Sequence, residues 1–174
     1  MTNKATFAGG CFWCMEPPFR ECDGVSSVEV GFMGGAIINP SYEQVCTGET
    51  GHYEVAHITY NQEIVSYMQL LDIFWRQIDP TDTGGQFADR GPHYQTAIFV
   101  HTSEQEQAAQ SSKDQLNQSQ KFDKPIVTKV IKAGQFYPAE DYHHEYYLKN
   151  PDHYNQYKYF SGRSQFLDSK WRDN

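Results

Sequence analysis

Short strand-like and helix-like segments alternate irregularly along this chain of 174 residues, and that order limits its fold more than any other feature. Alternating apolar and polar residues predict strands, whereas apolar residues spaced by three and four predict helices. The predicted strands cover residues 4–8, 25–33, 52–60, 95–101 and 126–132. Because no regular strand-helix-strand repeat appears, we predict an α+β fold in which helices pack on a mixed or antiparallel sheet.

Two long helices are predicted from apolar spacing and capping signals. Apolar residues recur at helical spacing from Ile64 to Ile78, and Asn61 is the predicted N-cap of this helix. A second, polar helix is predicted to begin at a capping box of Ser103 and Glu106 and to end near residue 120. Both helices are expected to cover one face of the sheet.

The remaining segments are predicted to be loops. Residues 36–51 are rich in turn-forming residues and residues 79–94 form a second long loop, and long loops in compact domains often carry function. Seven of the twelve tyrosines lie between Tyr137 and Tyr159. We predict a long irregular C-terminal segment there.

The composition is that of an acidic protein with enough apolar residues, 39% of the chain, for one core. Its length and the lack of a linker predict a single catalytic domain over residues 1–174. The net charge of −8 argues against nucleic-acid binding, which needs clustered Lys and Arg. No apolar signal segment or membrane-length stretch is visible, so we expect a cytoplasmic protein without membrane contact.

The most informative run is Gly9-Gly10-Cys11-Phe12-Trp13-Cys14, which directly follows the first predicted strand. The glycines allow a tight turn into a helix, and a cysteine in the first turn of a helix is expected to have a lowered pKa. Cys14 would lie on the same helix face, close enough to form a disulfide with an oxidised Cys11. Pro17-Pro18 predicts a break in this helix after one turn and a restart.

Several interpretations of the two cysteines stay open on these residues alone. They could be buried thiols, the pair of a general disulfide oxidoreductase, or half of a zinc site. The bulky Phe12-Trp13 and the missing βαβ context argue against the oxidoreductase. Zinc needs further ligands, and the candidates are His52, His57, Cys22 and the pair His143-His144.

Five further motifs follow along the chain. They are Gly31-Phe32-Met33-Gly34-Gly35, Asn39-Pro40-Ser41-Tyr42, Val45-Cys46, Thr50-Gly51-His52-Tyr53-Glu54 and Asp89-Arg90-Gly91-Pro92-His93-Tyr94. With Gly10-Cys11-Phe12-Trp13, these motifs resemble the methionine sulfoxide reductase A family, the peptide-methionine (S)-S-oxide reductases, in order and approximate spacing. The resemblance covers about residues 5–150 and implies a two-layer α/β sandwich, a ferredoxin-like mixed sheet.

The resemblance also implies the site and the reaction. Cys11 would attack the sulfoxide sulfur, and Glu54 would protonate its oxygen, although an exposed carboxylate is the default for a strand position. Tyr42 and Tyr94 match hydroxyl donors to that oxygen, and Asp89 matches a residue that lines the site. Phe12 and Trp13 match the wall for the substrate methyl group, and Tyr147 matches another tyrosine near the pocket.

The chain departs from many family members because no cysteine follows Cys46. The sulfenic acid formed on Cys11 must therefore be resolved by Cys14, Cys22, Cys46 or an external thiol. We predict Cys14 because it is nearest, and we expect Cys22 and Cys46 to be buried structural cysteines. The expected partners are methionine sulfoxide, free or in proteins, and thioredoxin as reductant. We expect a monomer with no metal or organic cofactor.

Overall fold

The computed structural model describes residues 2–171, so Met1 and residues 172–174 of the predicted domain lie outside the described residues. The strands are β1 Thr2–Gly9, β2 Val25–Met33, β3 Tyr53–Asn61, β4 Gly85–Gln86, β5 Asp89–Arg90, β6 Thr96–Val100, β7 Lys129–Lys132 and β8 Tyr137–Pro138. The helices are α1 Phe12–Arg20, α2 Tyr42–Cys46, α3 Tyr67–Trp75, α4 Ser103–Gln118, α5 Tyr146–Lys149, α6 Pro151–Phe160 and α7 Arg163–Trp171. Short 3₁₀ turns occupy Pro92–Tyr94 and Asp141–His143.

Six strands form one mixed sheet in the order β7-β6-β1-β3-β2-β8. Only β6 and β7 are parallel, and the other neighbours are antiparallel. Since β1 and β3 are antiparallel, the end of β1 and the start of β3 lie at the same edge of the sheet. This pairing confirms the predicted mixed-sheet α+β fold and brings the residues after β1 towards those that begin β3.

The helices cover one face of the sheet and produce two layers. Alternate residues of β1 point to opposite faces: Phe7 packs among α1 and α3, with ring centroids 5.3 Å from Phe19 and 5.0 Å from Phe74. Ala8 lies in a separate cluster on the other face with Met33, Val55, Ala97 and Phe99. None of the described helices is long and apolar enough to cross a membrane.

Helix boundaries differ from the predictions where a different residue caps the helix. α3 begins after Ser66, whose side chain and Gln69 form a capping box, whereas Asn61 accepts a hydrogen bond within the preceding turn. α4 begins after Thr102, whose hydroxyl accepts a hydrogen bond from the backbone of Gln105, so the predicted capping box is wrong. In the first predicted loop, a capping box likewise begins the short helix α2. Neighbouring residues can each act as an N-cap, and in both helices the residue that does so is not the predicted one.

Two segments are more helical than predicted. α1 continues through Pro17 and Pro18, so the predicted break is wrong. Burial of Met15 and Phe19 against the sheet stabilises the helix despite the two missing amide donors. The C-terminal segment contains α5, α6 and α7 rather than irregular chain, because Asn150-Pro151 and Gly162 separate short helices instead of preventing them.

Candidate active site

The turn between β1 and α1 presents Cys11 at the helix start. Gly10 has a φ of +85°, and a Cβ there would lie 2.7 Å from the Gln86 Cβ, so only glycine fits. Cys11 is the N-cap residue of α1 and makes no side-chain capping bond. Cys11 is 5% exposed, so its thiol is almost completely buried.

Glu54, the second residue of β3, contacts the same turn. Its Oε1 accepts a hydrogen bond of 3.2 Å from the Phe12 backbone amide, and its side chain is buried. Oε2 has no hydrogen-bond partner among the described residues. Burial raises the pKa of Glu54 well above its usual value, and the charges of Asp89 and Cys14 raise it further. Burial therefore favours the protonated form of the Glu54 carboxyl.

The pKa values of the two neighbouring thiols shift in opposite directions, and the predicted low pKa of Cys11 is wrong. Burial raises the pKa of Cys11 well above its usual value, and its hydrogen bond to Cys14 acts in the same direction. That hydrogen bond lowers the pKa of Cys14 to about 6, assisted by the positive charge of Arg163. The position at the helix start does not lower the pKa of Cys11 enough to offset its burial. A thiolate on Cys11 would also be repelled by negative charge on Cys14, Glu54 or Asp89.

Tyr42 and Tyr94 lie close enough to Glu54 for its charge to act on them, and both can serve as neutral donors. Both are half-buried, and the hydroxyl of Tyr94 is in hydrogen-bond contact with Tyr42. Burial raises the pKa of each tyrosine, and the nearby Glu54 raises it further. The raised pKa values favour the neutral, proton-bearing form of both hydroxyls.

An aromatic wall borders the site. Phe12 is fully buried, with its ring centroid 6.1 Å from that of Tyr42. Trp13 is partly exposed and stacks on Tyr146 at 4.0 Å between centroids, and its indole N–H donates to His143 Nδ1 at 3.1 Å. The contacts with Tyr42, Tyr146 and His143 fix the positions of the two rings, which present the kind of apolar surface that a pocket for a methyl group requires.

Asp89 lies at the site, whereas Tyr147 does not join the wall. The carboxylate of Asp89 accepts a hydrogen bond from the Tyr157 hydroxyl, and burial raises the pKa of Asp89 to about 6. Tyr147 instead packs against Tyr154, 6.2 Å away between centroids. The tyrosine stacked on Trp13 is Tyr146. Two adjacent tyrosines in a short helix point to different sides, and the sequence contains no signal that chooses between them.

The other two cysteines differ in their distance from Glu54. Cys22 is partly buried beside the main core, and its thiol contacts the Asp23 carbonyl at 3.5 Å. Cys46 is exposed at the end of α2, so the prediction that it is buried is wrong. A ligand atom of Cys46 lies within 4.8 Å of ligand atoms of Glu54 and His93. Cys46 therefore belongs to the surroundings of the carboxyl.

Arg163 is a buried residue of the site that the sequence did not reveal. Its side chain is 1% exposed, and its guanidinium donates to the Gly9 carbonyl at 3.1 Å and to the Gln77 carbonyl. It lies over the ring of Phe87 at 4.8 Å. Arg163 begins α7, almost the whole chain away from Gly9, so only the tertiary fold reveals the contact.

Replacing Arg163 by methionine is expected to destabilise the protein by about 2–5 kcal/mol, because two buried hydrogen bonds from a charged group are lost. The pKa of Cys14 should rise, since the positive charge that favours its thiolate disappears. Thermal unfolding and the pH dependence of Cys14 alkylation measure the two effects. Arg76→Met, which removes an exposed ion pair with Asp72, is the control and should change stability by less than about 1 kcal/mol. Equal stability and equal Cys14 reactivity in the two variants would contradict these two effects of Arg163.

Comparisons with known proteins agree on one family. The family model described as peptide methionine sulfoxide reductase matches residues 3–174. The chain is 54% identical to the peptide methionine sulfoxide reductase MsrA of Bacillus pumilus, over 97% of this chain and 95% of the relative. It is 56% identical to the MsrA of Bacillus velezensis, over 97% and 96%. The methionine sulfoxide reductase A structure from Corynebacterium diphtheriae is similar, with a TM-score of 0.82 and 32% identity, over 86% of this chain and 76% of that one.

Proposed function

The chain belongs to the peptide methionine sulfoxide reductase family and is an oxidoreductase, and from this we propose how its residues reduce methionine-S-sulfoxide. Cys11 attacks the sulfoxide sulfur while Glu54 protonates the oxygen. The hydrogen bond between the Phe12 amide and Glu54 Oε1 is the observation that carries the proposal. It joins a buried, proton-bearing carboxyl to the turn that holds the nucleophile.

The substrate is positioned by apolar and polar groups on opposite sides. The methyl group of the sulfoxide packs against Phe12 and Trp13, and the oxygen accepts hydrogen bonds from Tyr42 and Tyr94. These neutral donors stabilise the charge that develops on the oxygen without adding a second negative charge to the site. Asp89 supports the rim of the site through its hydrogen bond from Tyr157.

The chemical step moves two electrons and one oxygen atom. The proton of Cys11 passes to the Cys14 thiolate, and the Cys11 thiolate attacks the sulfoxide sulfur. Glu54 gives its proton to the oxygen, which weakens the S=O bond and makes the oxygen a leaving group. The protonated oxygen then bonds to the Cys11 sulfur as the bond between the two sulfurs breaks, so the substrate leaves as a thioether, reduced by two electrons, and Cys11 is oxidised to a sulfenic acid. The negative charge moves from Cys14 to Glu54, so the reaction adds no net charge to the buried site.

Cys14 resolves the sulfenic acid. Its sulfur attacks Cys11, the hydroxyl leaves with the Cys14 proton as water, and a disulfide remains. The two thiols are in hydrogen-bond contact, and proximity favours the nearest nucleophile. The dithiol of thioredoxin then reduces the disulfide by exchange and itself becomes oxidised.

Replacing Cys14 by serine is expected to leave one methionine per enzyme but to stop turnover with thioredoxin. Cys11 can still take the oxygen, whereas the disulfide that thioredoxin reduces cannot form. Quantifying methionine after mixing pre-reduced enzyme with the S epimer, with and without thioredoxin, tests this. Cys22→Ser is the matched control and should retain full turnover. Full turnover by Cys14→Ser would sink the assignment and shift it to Cys46.

We also propose the oligomeric state, the substrates and the cellular compartment in which the enzyme acts. All groups that take part come from one chain, so we expect residues 1–174 to act as one catalytic domain and as a monomer. Free methionine sulfoxide and oxidised proteins are both substrates, and the role is protein repair after oxidative damage. The need to reduce the disulfide after every turnover suits the reducing cytoplasm.

A further inference from the structure

A cysteine, a histidine and a carboxylate converge beside the proposed active site. Cys46 ends α2, Glu54 is in β3, and His93 is in the 3₁₀ turn Pro92–Tyr94. One ligand atom of each residue lies within 4.8 Å of the other two. This is the one such group of three or more that the part of the chain from 2 to 171 contains. It includes none of the histidines considered as zinc ligands from the sequence.

Two of the three side chains have buried polar atoms without partners. Glu54 is 1% exposed and His93 is 5% exposed. Glu54 Oε2 and His93 Nδ1 have no hydrogen-bond partner among the described residues. Most buried polar atoms are paired, so two unpaired atoms in one small cluster indicate a site for an additional ligand. Because Oε1 is engaged by the Phe12 amide, Oε2 is the oxygen that remains free.

We propose that Cys46, Glu54 and His93 bind Zn²⁺ or a similar divalent cation, and that the bound ion inhibits the enzyme. Thiolate sulfur, imidazole nitrogen and carboxylate oxygen are the three donor types that zinc prefers, and a fourth position stays open to water. The exposed Cys46 supplies the soft ligand from the surface, whereas the two buried residues supply the base of the site.

The spacing is compatible with zinc after a small movement. Tetrahedral bonds of about 2.0–2.3 Å place ligand atoms about 3.3–3.8 Å apart. The present limit of 4.8 Å must therefore shrink by about 1 Å. Cys46 is exposed and lies at the end of the five-residue helix α2, so its side chain can make this movement.

The inhibition follows because the ion would bind Glu54, the proposed proton donor. Zinc binding releases the thiol proton of Cys46, and a carboxylate bound to a cation carries no proton to donate. The ion would also take Cys46 from its hydrogen bond with Tyr42. This inhibitory effect depends on the proposed role of Glu54, whereas the binding site itself does not.

A zinc titration of reduced full-length enzyme, in buffer free of thiols and against a chromogenic chelator, tests the site. The wild type should bind one Zn²⁺. Cys46→Ser and His93→Gln should each weaken binding by at least about tenfold, since loss of even an outer partner of a zinc ligand costs that much. Cys46→Ser changes an exposed side chain and should fold normally. Cys22→Ser is the matched control and should bind like the wild type.

The Cys11 and Cys14 thiols are the competing site, and a double variant separates the two. Cys11→Ser/Cys14→Ser should retain the zinc affinity of the wild type. Loss of binding in this variant, with wild-type affinity in Cys46→Ser, would overturn the proposal, as would the absence of zinc binding by the wild type. Methionine formation by zinc-free wild type tests the proposed function separately, and its decrease on zinc loading tests the inhibition.

Discussion

Replacing Cys11 by serine is expected to abolish methionine formation, even in a single turnover. A serine hydroxyl at the same position keeps the turn and the pocket, but it supplies no thiolate and cannot be oxidised to a sulfenic acid. Loss of a nucleophile that forms a covalent bond lowers a rate by at least about four orders of magnitude. Methionine released from the S epimer by pre-reduced variant, measured by chromatography, gives the result.

The other cysteines provide the controls for this experiment. Cys22→Ser should form one methionine per enzyme, because Cys22 packs beside the main core and is not part of the group that Cys46 and His93 form with Glu54. Wild-type single-turnover yield from Cys11→Ser would show that a different sulfur attacks the substrate. The exposed Cys46 would then be the next candidate, since it is the cysteine besides the pair that lies near Glu54.

Replacing Glu54 by glutamine is expected to lower the single-turnover rate by about 10²–10⁴-fold, the usual contribution of a general acid. The wild-type rate should also fall as pH rises through the raised pKa of Glu54, because only the protonated carboxyl can donate. The glutamine variant should lack this alkaline decrease. Glu29→Gln, on an exposed position of β2, is the matched control. A glutamine variant with the wild-type rate and pH profile would exclude Glu54 as the acid.

Glu54→Gln should lower the reaction rate but should increase the stability of the protein relative to wild type as pH rises. The pKa of Glu54 is raised in the folded state, so its carboxyl contributes its full stability below the unfolded-state pKa and loses it as pH rises through the folded-state pKa. A neutral glutamine does not lose stability in this way. The melting temperature of Glu54→Gln relative to wild type should therefore increase as pH rises above the unfolded-state pKa of about 4.3.

Local sequence signals predicted the turn that holds Cys11 well. A strand followed by Gly-Gly predicted a tight connection, and Gly10 has the positive φ that this connection needs. The burial of Glu54 was different, because it depends on antiparallel pairing of β1 with β3 and on Phe12 across the turn. A strand position without its neighbours predicts an exposed carboxylate. The resemblance to a family, rather than the local pattern, drew attention to this residue.

Contacts between distant parts of the chain account for what the sequence did not reveal. Arg163 reaches the Gly9 carbonyl from the C-terminal helices, and Tyr146 rather than Tyr147 stacks on Trp13. The low pKa expected for Cys11 came from its place at a helix start, and the burial that reverses it is a property of the folded molecule. Such effects depend on which surfaces meet, and no local pattern encodes them.

The central claim is that the sulfur of Cys11 is the atom oxidised by the substrate. The most direct test treats pre-reduced Cys14→Ser with methionine-S-sulfoxide and traps the product with a 1,3-diketone that alkylates sulfenic acids. Mass spectrometry of the digested protein should find the adduct on Cys11, in an amount equal to the methionine released. An adduct on Cys22 or Cys46, with Cys11 unmodified, would contradict the account.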